Sequence, residues 1–166
     1  MTRAQYIRMT EGMRALLSRL PGGEKFLRLP TLLCACAYIF SLVFLMLRRD
    51  ARLVRVLLVP AACFLAVTAL RPLIGRQRPY DRFGAPPVGR YRPGKGKSMP
   101  SRHTASAAAI ACAVIAVFPT PAVCAAMLAL CALIAALRVL SGQHYISDVV
   151  AALALSFALS LAGYLL

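Results

Sequence analysis

Residues 29–47, LPTLLCACAYIFSLVFLML, run nineteen positions without one charged side chain. About 17–25 such residues cross a hydrocarbon core as a helix, because only there can every backbone N–H and C=O be satisfied within the segment. Working outward, residues 53–70 give a second apolar stretch, interrupted only by Arg55 near one end and by Pro60. Residues 104–137 then carry no charge over thirty-four positions, too many for one span. Pro119-Thr120-Pro121 punctuates them, since proline stops a helix and drives the residue before it out of helical geometry. Two short helices, 104–118 and 121–137, are therefore predicted, and residues 149–166 supply the last. The expected fold is all-α, an integral membrane bundle of five transmembrane helices. With 60% of its 166 residues hydrophobic and a mean hydropathy of +0.72, the chain is neither disordered nor an ordinary water-soluble domain.

Ahead of the first span, residues 1–28 hold Arg3, Arg8, Arg14, Arg19, Lys25 and Arg28 and lack the apolar core of a signal peptide. Tyr6, Ile7, Met9, Met13, Leu16, Leu17 and Leu20 recur between them at near-helical spacing. That pattern predicts a basic amphipathic helix in the headgroup layer, ended by Pro21-Gly22-Gly23. The expected organisation is this N-terminal segment, 1–28, followed by one transmembrane domain, 29–166. The six cysteines all fall in apolar spans without metal-ligand spacing, and Cys34 and Cys36 point to different sides of a helix. They read as small hydrophobes. Small residues four apart, as in Ala105/Ala109/Ala113 and Ala125/Ala129, predict close packing among the last three helices.

Alternating spans bring the N-terminus, the loop 71–103 and the connection 138–148 to one membrane face. Arg71 ends the second helix, and Arg78-Pro79 follows. Lys97-Ser98-Met99-Pro100-Ser101-Arg102-His103 precedes the third, Arg138 ends the fourth, and His144 and Asp148 open the fifth, four apart on one helical face. Both histidines of the chain meet here with several arginines. Guanidinium forks, a serine hydroxyl and helix N-termini together form an oxyanion site. Two histidines add a nucleophile and a general acid, and a carboxylate one turn away orients an imidazole. Phosphoryl transfer through a phosphohistidine fits these groups. No acidic cluster is present to hold Mg²⁺, so no metal or other cofactor is expected, and arginine is to meet the developing charge.

Taken in order, Arg71-x6-Arg78-Pro79, Pro100-Ser101-Arg102-His103 and Arg138-x5-His144-x3-Asp148 resemble the three-part signature of the type 2 phosphatidic acid phosphatase superfamily, which includes the vanadium-dependent haloperoxidases. The resemblance covers residues 71–148 by motif. It implies that His144 is the nucleophile, oriented by Asp148, and that His103 protonates the leaving alkoxide. It further implies that Arg71, Arg78, Ser101, Arg138 and the backbone N–H of Arg102 cradle the phosphate, with no metal. The implied activity is hydrolysis of a lipid phosphomonoester or pyrophosphate by a multi-pass protein of a bacterial inner membrane. Four positions depart from the family's pattern. Arg71 stands where lysine is usual, Arg102 where glycine is usual, Leu137 where serine is usual, and Ile146 where proline often follows His-Tyr.

Other readings of the same residues stay open at this point. The histidines can be structural, the arginines interfacial anchors, and Asp148 a first-turn acid favoured by the helix dipole. A lipid phosphotransferase, or a non-catalytic protein binding anionic lipids, would use much of the same set. The net charge of +15 is spread among interhelical segments without a nucleic-acid motif, so anionic lipid headgroups are the expected partners and nucleic acid is not. On the active-site face lie sixteen Lys/Arg against four on the other. This charge bias points to the cytoplasm, whereas bacterial members of the family work from the outer face. The sequence leaves that side open.

Overall fold

The computed structural model describes residues 1–94 and 97–165, with Glu24 described by its backbone alone. Among these residues the helices are α1 (Arg3–Ser18), α2 (Leu29–Leu47), α3 (Arg52–Ile74), α4 (Pro79–Phe83), α5 (Arg102–Val117), α6 (Pro121–Leu140) and α7 (Ile146–Leu165). A 3₁₀ helix, Gly23–Arg28, leads into α2. The fold is all-α. Helices α2, α3, α6 and α7 are long and apolar enough to cross a membrane, whereas α5 is apolar but only 16 residues long. Leu32, Phe40, Leu57, Leu65, Leu133 and Leu161 stand exposed on the four long helices, a surface that lipid rather than water accommodates. Leu166 of the expected last span, and Lys95 and Gly96 of the expected loop, lie outside the described residues.

Boundaries follow local chemistry. Thr120 caps α6, its hydroxyl accepting the Val123 N–H at 3.3 Å, and Pro121 takes the first helical position, where its missing N–H has no helical partner to lose. Helix α3 runs beyond the expected residue 70 to Ile74 and ends at Gly75, in the left-handed conformation that glycine adopts freely. Pro60 lies inside it without ending it. The short α4, started by Pro79 after the extended Arg78, was not legible in the hydropathy pattern.

The close packing expected among the last three helices takes a different form. α5 is the axle. Ala105, Ala108, Ala109, Ala111 and Ala113 are all but fully buried on it, and α2, α3, α6 and α7 all pack against it, while α6 and α7 scarcely touch each other. One cluster joins Cys34 of α2, Ala107, Ala108, Ala111 and Val114 of α5, and Met127, Cys131 and Ile134 of α6. Another joins Val67 of α3, Ala105, and Ala152 of α7. In lipid, apolar burial does little to join helices, so side chains small enough for close backbone approach become the contact. An alanine-rich helix can meet four neighbours in this way. All six cysteines are free thiols, Cys34 buried and Cys36 exposed.

The N-terminal helix forms, held at its start by a reciprocal cap between Thr2 and Gln5. Its buried stripe is Tyr6, Thr10, Met13 and Leu17, and this face is turned onto protein. Met13 and Leu17 cluster with Val88. Arg3 donates to the Phe83 carbonyl at 3.1 Å, and Arg14 to that of Pro86 at 2.7 Å. The fully buried Tyr6 hydroxyl donates to the carbonyls of Ala85 (3.2 Å) and Gly142 (3.4 Å). α1 thus straps the loop after α4 to the turn after α6.

Gly142 is fixed by this contact. It sits at φ +73°, and a Cβ added there would lie 2.6 Å from the Tyr6 hydroxyl oxygen and 2.8 Å from Thr10 Cγ2. Gly142→Ala is expected to destabilise the protein by about 2 kcal/mol or more, combining left-handed strain with the steric conflict. In a Tyr6→Ala background the same change is expected to cost less, leaving the backbone part and the contact with Thr10. Thermal unfolding of the four proteins in detergent checks this, since strictly additive losses would refute a direct clash.

Candidate functional site

Three backbone connections assemble the site. The turn after α6 winds back on the helix end, the N–H groups of Gln143 and His144 both donating to the Arg138 carbonyl (3.2 and 3.1 Å). The spacing Arg138-x5-His144 is the length of that turn. Ser101 N–H donates to the Asp148 carbonyl at 3.1 Å, joining the start of α5 to the first turn of α7, and Val88 N–H donates to Ser141 at 2.9 Å. Residues far apart in sequence are thereby brought to one end of the bundle.

His144 and Asp148 do meet, although His144 lies in the turn and only Asp148 is within α7. His144 Nδ1 is 3.4 Å from Asp148 Oδ2, and both side chains are buried. The carboxylate is enclosed by donors. Oδ1 accepts from Arg76 Nη1 at 2.7 Å. Oδ2 accepts from the Ser98 hydroxyl and from the Tyr145 N–H at 3.0 Å, and Ser98 Oγ also lies 3.4 Å from His144 Nδ1. Arg76 is itself held by Ser147 Oγ at 2.7 Å and by stacking over the Tyr145 ring at 4.3 Å.

In front of His144 lies a cavity of about 1180 Å³. His103, Arg78, Arg102 and Arg138 line it together with His144. Gln143 holds Arg78 from one side, its Oε1 accepting from Nη1 at 3.1 Å, and donates through Nε2 to the Arg90 carbonyl at 2.8 Å. The other expected residues stand behind the wall. Arg71 is buried, and its guanidinium donates to the carbonyls of Pro100 and Lys97. Ser101 is buried at the start of α5, its Oγ accepting from Thr104 Oγ1 at 3.0 Å. In this arrangement both hold the turn into α5. The side chain of Arg102, anomalous in the sequence, is exposed and faces the cavity.

Sequence reasoning passed over Arg76, Ser98 and Gln143. Arg76 is one arginine among many in its loop, and Ser98 lies two residues before the motif that begins at Pro100. Nothing in the local sequence of either marks Asp148 as a partner some fifty to seventy residues away.

The electrostatics favour a neutral imidazole at the centre. Burial lowers the pKa of His144 below the ordinary imidazole value, and Arg78 and Arg71 push the same way, against the opposite pull of Asp148. The hydrogen bond to Asp148 is the strongest influence after burial, yet it does not overcome the cost of charging a buried imidazole.

The model of the PAP2 superfamily matches residues 52–166, from the start of α3 onward. The chain belongs to the PAP2 superfamily. It is also similar in fold to the crystal structure of a transmembrane PAP2-type phosphatidylglycerolphosphate phosphatase from Bacillus subtilis. The TM-score is 0.71 at 20% identity, over 97% of this chain and 83% of the other. No curated protein sequence matches it. The resemblance read from the three motifs is thus borne out, and the chain is a multi-pass membrane protein of a phosphatase superfamily.

The Asp148 cage yields a test independent of turnover. Arg76→Gln removes a cation from Asp148 and leaves more of its charge to stabilise the imidazolium, so the His144 pKa should rise. Ser98→Ala should raise it by less, removing a neutral donor at a cost to stability of about 1.5–3 kcal/mol. Titration of the two imidazoles by NMR reads both shifts, and an unchanged or lowered His144 pKa in Arg76→Gln would refute the account.

Proposed function

We propose that the chain is a metal-independent membrane phosphatase hydrolysing a lipid phosphomonoester or pyrophosphate through a phosphohistidine. The observation that carries this reading is the placement of His144, with Nδ1 toward the Asp148 carboxylate and its ring at the wall of a cavity that also receives His103, Arg78 and Arg138. An imidazole held in this way offers Nε2 as a neutral nucleophile.

In the first step, Nε2 of His144 attacks phosphorus, and the bond to the leaving oxygen breaks as His103 supplies its proton. In the second, His103 takes a proton from water, whose oxygen attacks phosphorus, and the P–N bond breaks to release phosphate and neutral His144. Arg78, Arg138 and the Arg102 N–H meet the charge on the equatorial oxygens, while Arg71 and Ser101 hold the turn that presents His103. Asp148 orients His144 and stabilises its cationic phosphorylated form. Among the described residues no group of three or more His, Cys, Asp or Glu is placed to hold a metal ion, which supports assigning this charge to arginine.

Within this reading, α5 is a fifth span. Its 16 residues cover about 24 Å at 1.5 Å per residue, less than a full hydrocarbon core, which would draw the site at its N-terminus toward the depth of a lipid phosphate. Residues 29–166 then form the phosphatase domain, with 1–28 strapped to it, and the setting is a bacterial cell membrane, a reading supported by the fold it shares with a transmembrane protein of Bacillus subtilis.

The test is phosphate release by purified protein in detergent, with excess EDTA, from phosphatidate, phosphatidylglycerophosphate and polyprenyl phosphates. Turnover should persist in EDTA, and vanadate, a trigonal-bipyramidal mimic bonded to His144, should inhibit it. A metal requirement restored by Mg²⁺ would overturn the mechanism, and absence of turnover on every lipid phosphate would favour a lipid-binding protein.

The division of labour between the histidines is separately testable. His144→Ala should abolish the phosphoenzyme and turnover together. His103→Ala should lose about 10²–10⁴-fold on alkyl phosphates, the scale of general acid catalysis, and much less on an aryl phosphate whose leaving group scarcely needs a proton. Equal losses on both substrates would remove the acid role from His103.

A further inference from the structure

The cavity holds more positive charge than one phosphate can use. Arg78 and Arg138 stand beside His144, and Arg102 beside His103. Four further cations line the same cavity from other elements, Lys25 and Arg28 from the 3₁₀ helix ahead of α2, and Arg90 and Arg92 from the loop after α4. Among the described residues no acidic side chain lines it, and these four side chains are exposed. A phosphomonoester brings a charge of roughly −1.5 to −2, which the inner arginines and the helix start already answer. Seven like charges around one cavity repel one another, and the repulsion is relieved in proportion to the negative charge a ligand brings. Lys25 and Arg28 also lie outside residues 52–166, the part that the superfamily model matches. Leu27, Leu32 and Ala35 continue the wall from these cations onto α2, where Leu32 is 58% exposed on the outer surface of the helix. An apolar chain therefore has a route from the cavity to the bilayer past the outer cations.

We propose that Lys25, Arg28, Arg90 and Arg92 form a second anion subsite, so that the preferred substrate is a lipid carrying two phosphorus groups, the terminal one at His144 and the inner one between the 3₁₀ helix and residues 88–92. The proposal rests on the phosphatase reading for the terminal group only. Two lipid classes share this chemistry, a prenyl diphosphate with an anhydride link and a glycerolipid with a phosphodiester and a terminal monoester. The cations require the second charge and not the link.

The experiment compares substrates of one tail, a prenyl monophosphate against its diphosphate and phosphatidate against phosphatidylglycerophosphate, using full-length protein in detergent. The variants are Lys25→Gln/Arg28→Gln and Arg90→Gln/Arg92→Gln. Wild type should favour the two-phosphorus member of at least one pair through KM. Each double variant should reduce that preference about tenfold, the scale of losing two charge-assisted contacts, with kcat on the monophosphate unchanged. Which pair responds identifies the link. Equal kcat/KM on both members of both pairs, or a preference untouched by the variants, would overturn the subsite. Equal losses on mono- and two-phosphorus substrates, together with weaker binding to vesicles containing phosphatidylglycerol, would likewise overturn it and assign these cations to the bilayer surface. Equilibrium binding of inorganic pyrophosphate against inorganic phosphate separates the two readings. Tighter pyrophosphate binding that the double variants abolish supports the subsite even if no substrate turns over, whereas equal binding of the two anions in that case refutes it.

Discussion

A carboxylate with no exposed surface, that of Asp148, is the point on which the end of the bundle depends. Taking a charge out of water costs several kcal/mol unless partners replace the lost hydration. Here the partners come from three places in the chain: Arg76 after α3, Ser98 before α5, and, in the turn between α6 and α7, His144 and the Tyr145 N–H. Each is drawn in by the same unsatisfied charge, so one acidic residue gathers the ends of the helices that surround the cavity. Removing one partner would leave the rest of a buried charge exposed to its cost, which makes the gathering cooperative.

The same logic explains why so many arginines behave differently from one another. Arg71 is buried with its guanidinium on the carbonyls of Pro100 and Lys97, and Arg76 neutralises Asp148. Arg78 is steadied by Gln143, whose amide reaches on to the loop carbonyls. Five rigid donors on each planar fork let arginine brace a loop or receive an anion, and its surroundings decide which. The arginines that brace loops leave others facing the cavity, and so a strongly basic segment becomes a shaped anion receptor rather than a uniformly charged surface.

Below this end, the bundle is organised by size rather than by hydrophobicity. The side chains of α2 and α6 are as apolar outside as inside, and lipid tails would solvate either face. Small residues on α5 set the contacts, because they allow the closest backbone approach. At the other extreme, α1 packs one apolar stripe against the rest of the chain. Its Tyr6, Thr10, Met13 and Leu17 lie on loops whose backbone carbonyls accept from Tyr6, Arg3 and Arg14. A stripe of this kind reads in sequence as a membrane-surface helix, since the pattern is the same whether the apolar partner is lipid or protein.

Uncharged runs long enough to span, prolines at residues 119 and 121, and three ordered motifs at helix boundaries belong to the sequence alone, because span length, helix termination and residue chemistry are local properties. They determine an all-α membrane protein, the positions of its long helices, and the family to which it belongs. Partnership is not local. That α5 is the axle, that Arg76 and Ser98 enclose Asp148, that Arg71 and Ser101 lie behind the cavity wall while Lys25 and Arg28 reach its lining, and that Gly142 is held under Tyr6 were decided only when helices far apart in the chain closed on one another. A buried charge takes whatever donors the fold brings within hydrogen-bond reach, and no periodicity or spacing along the chain encodes which donors those will be.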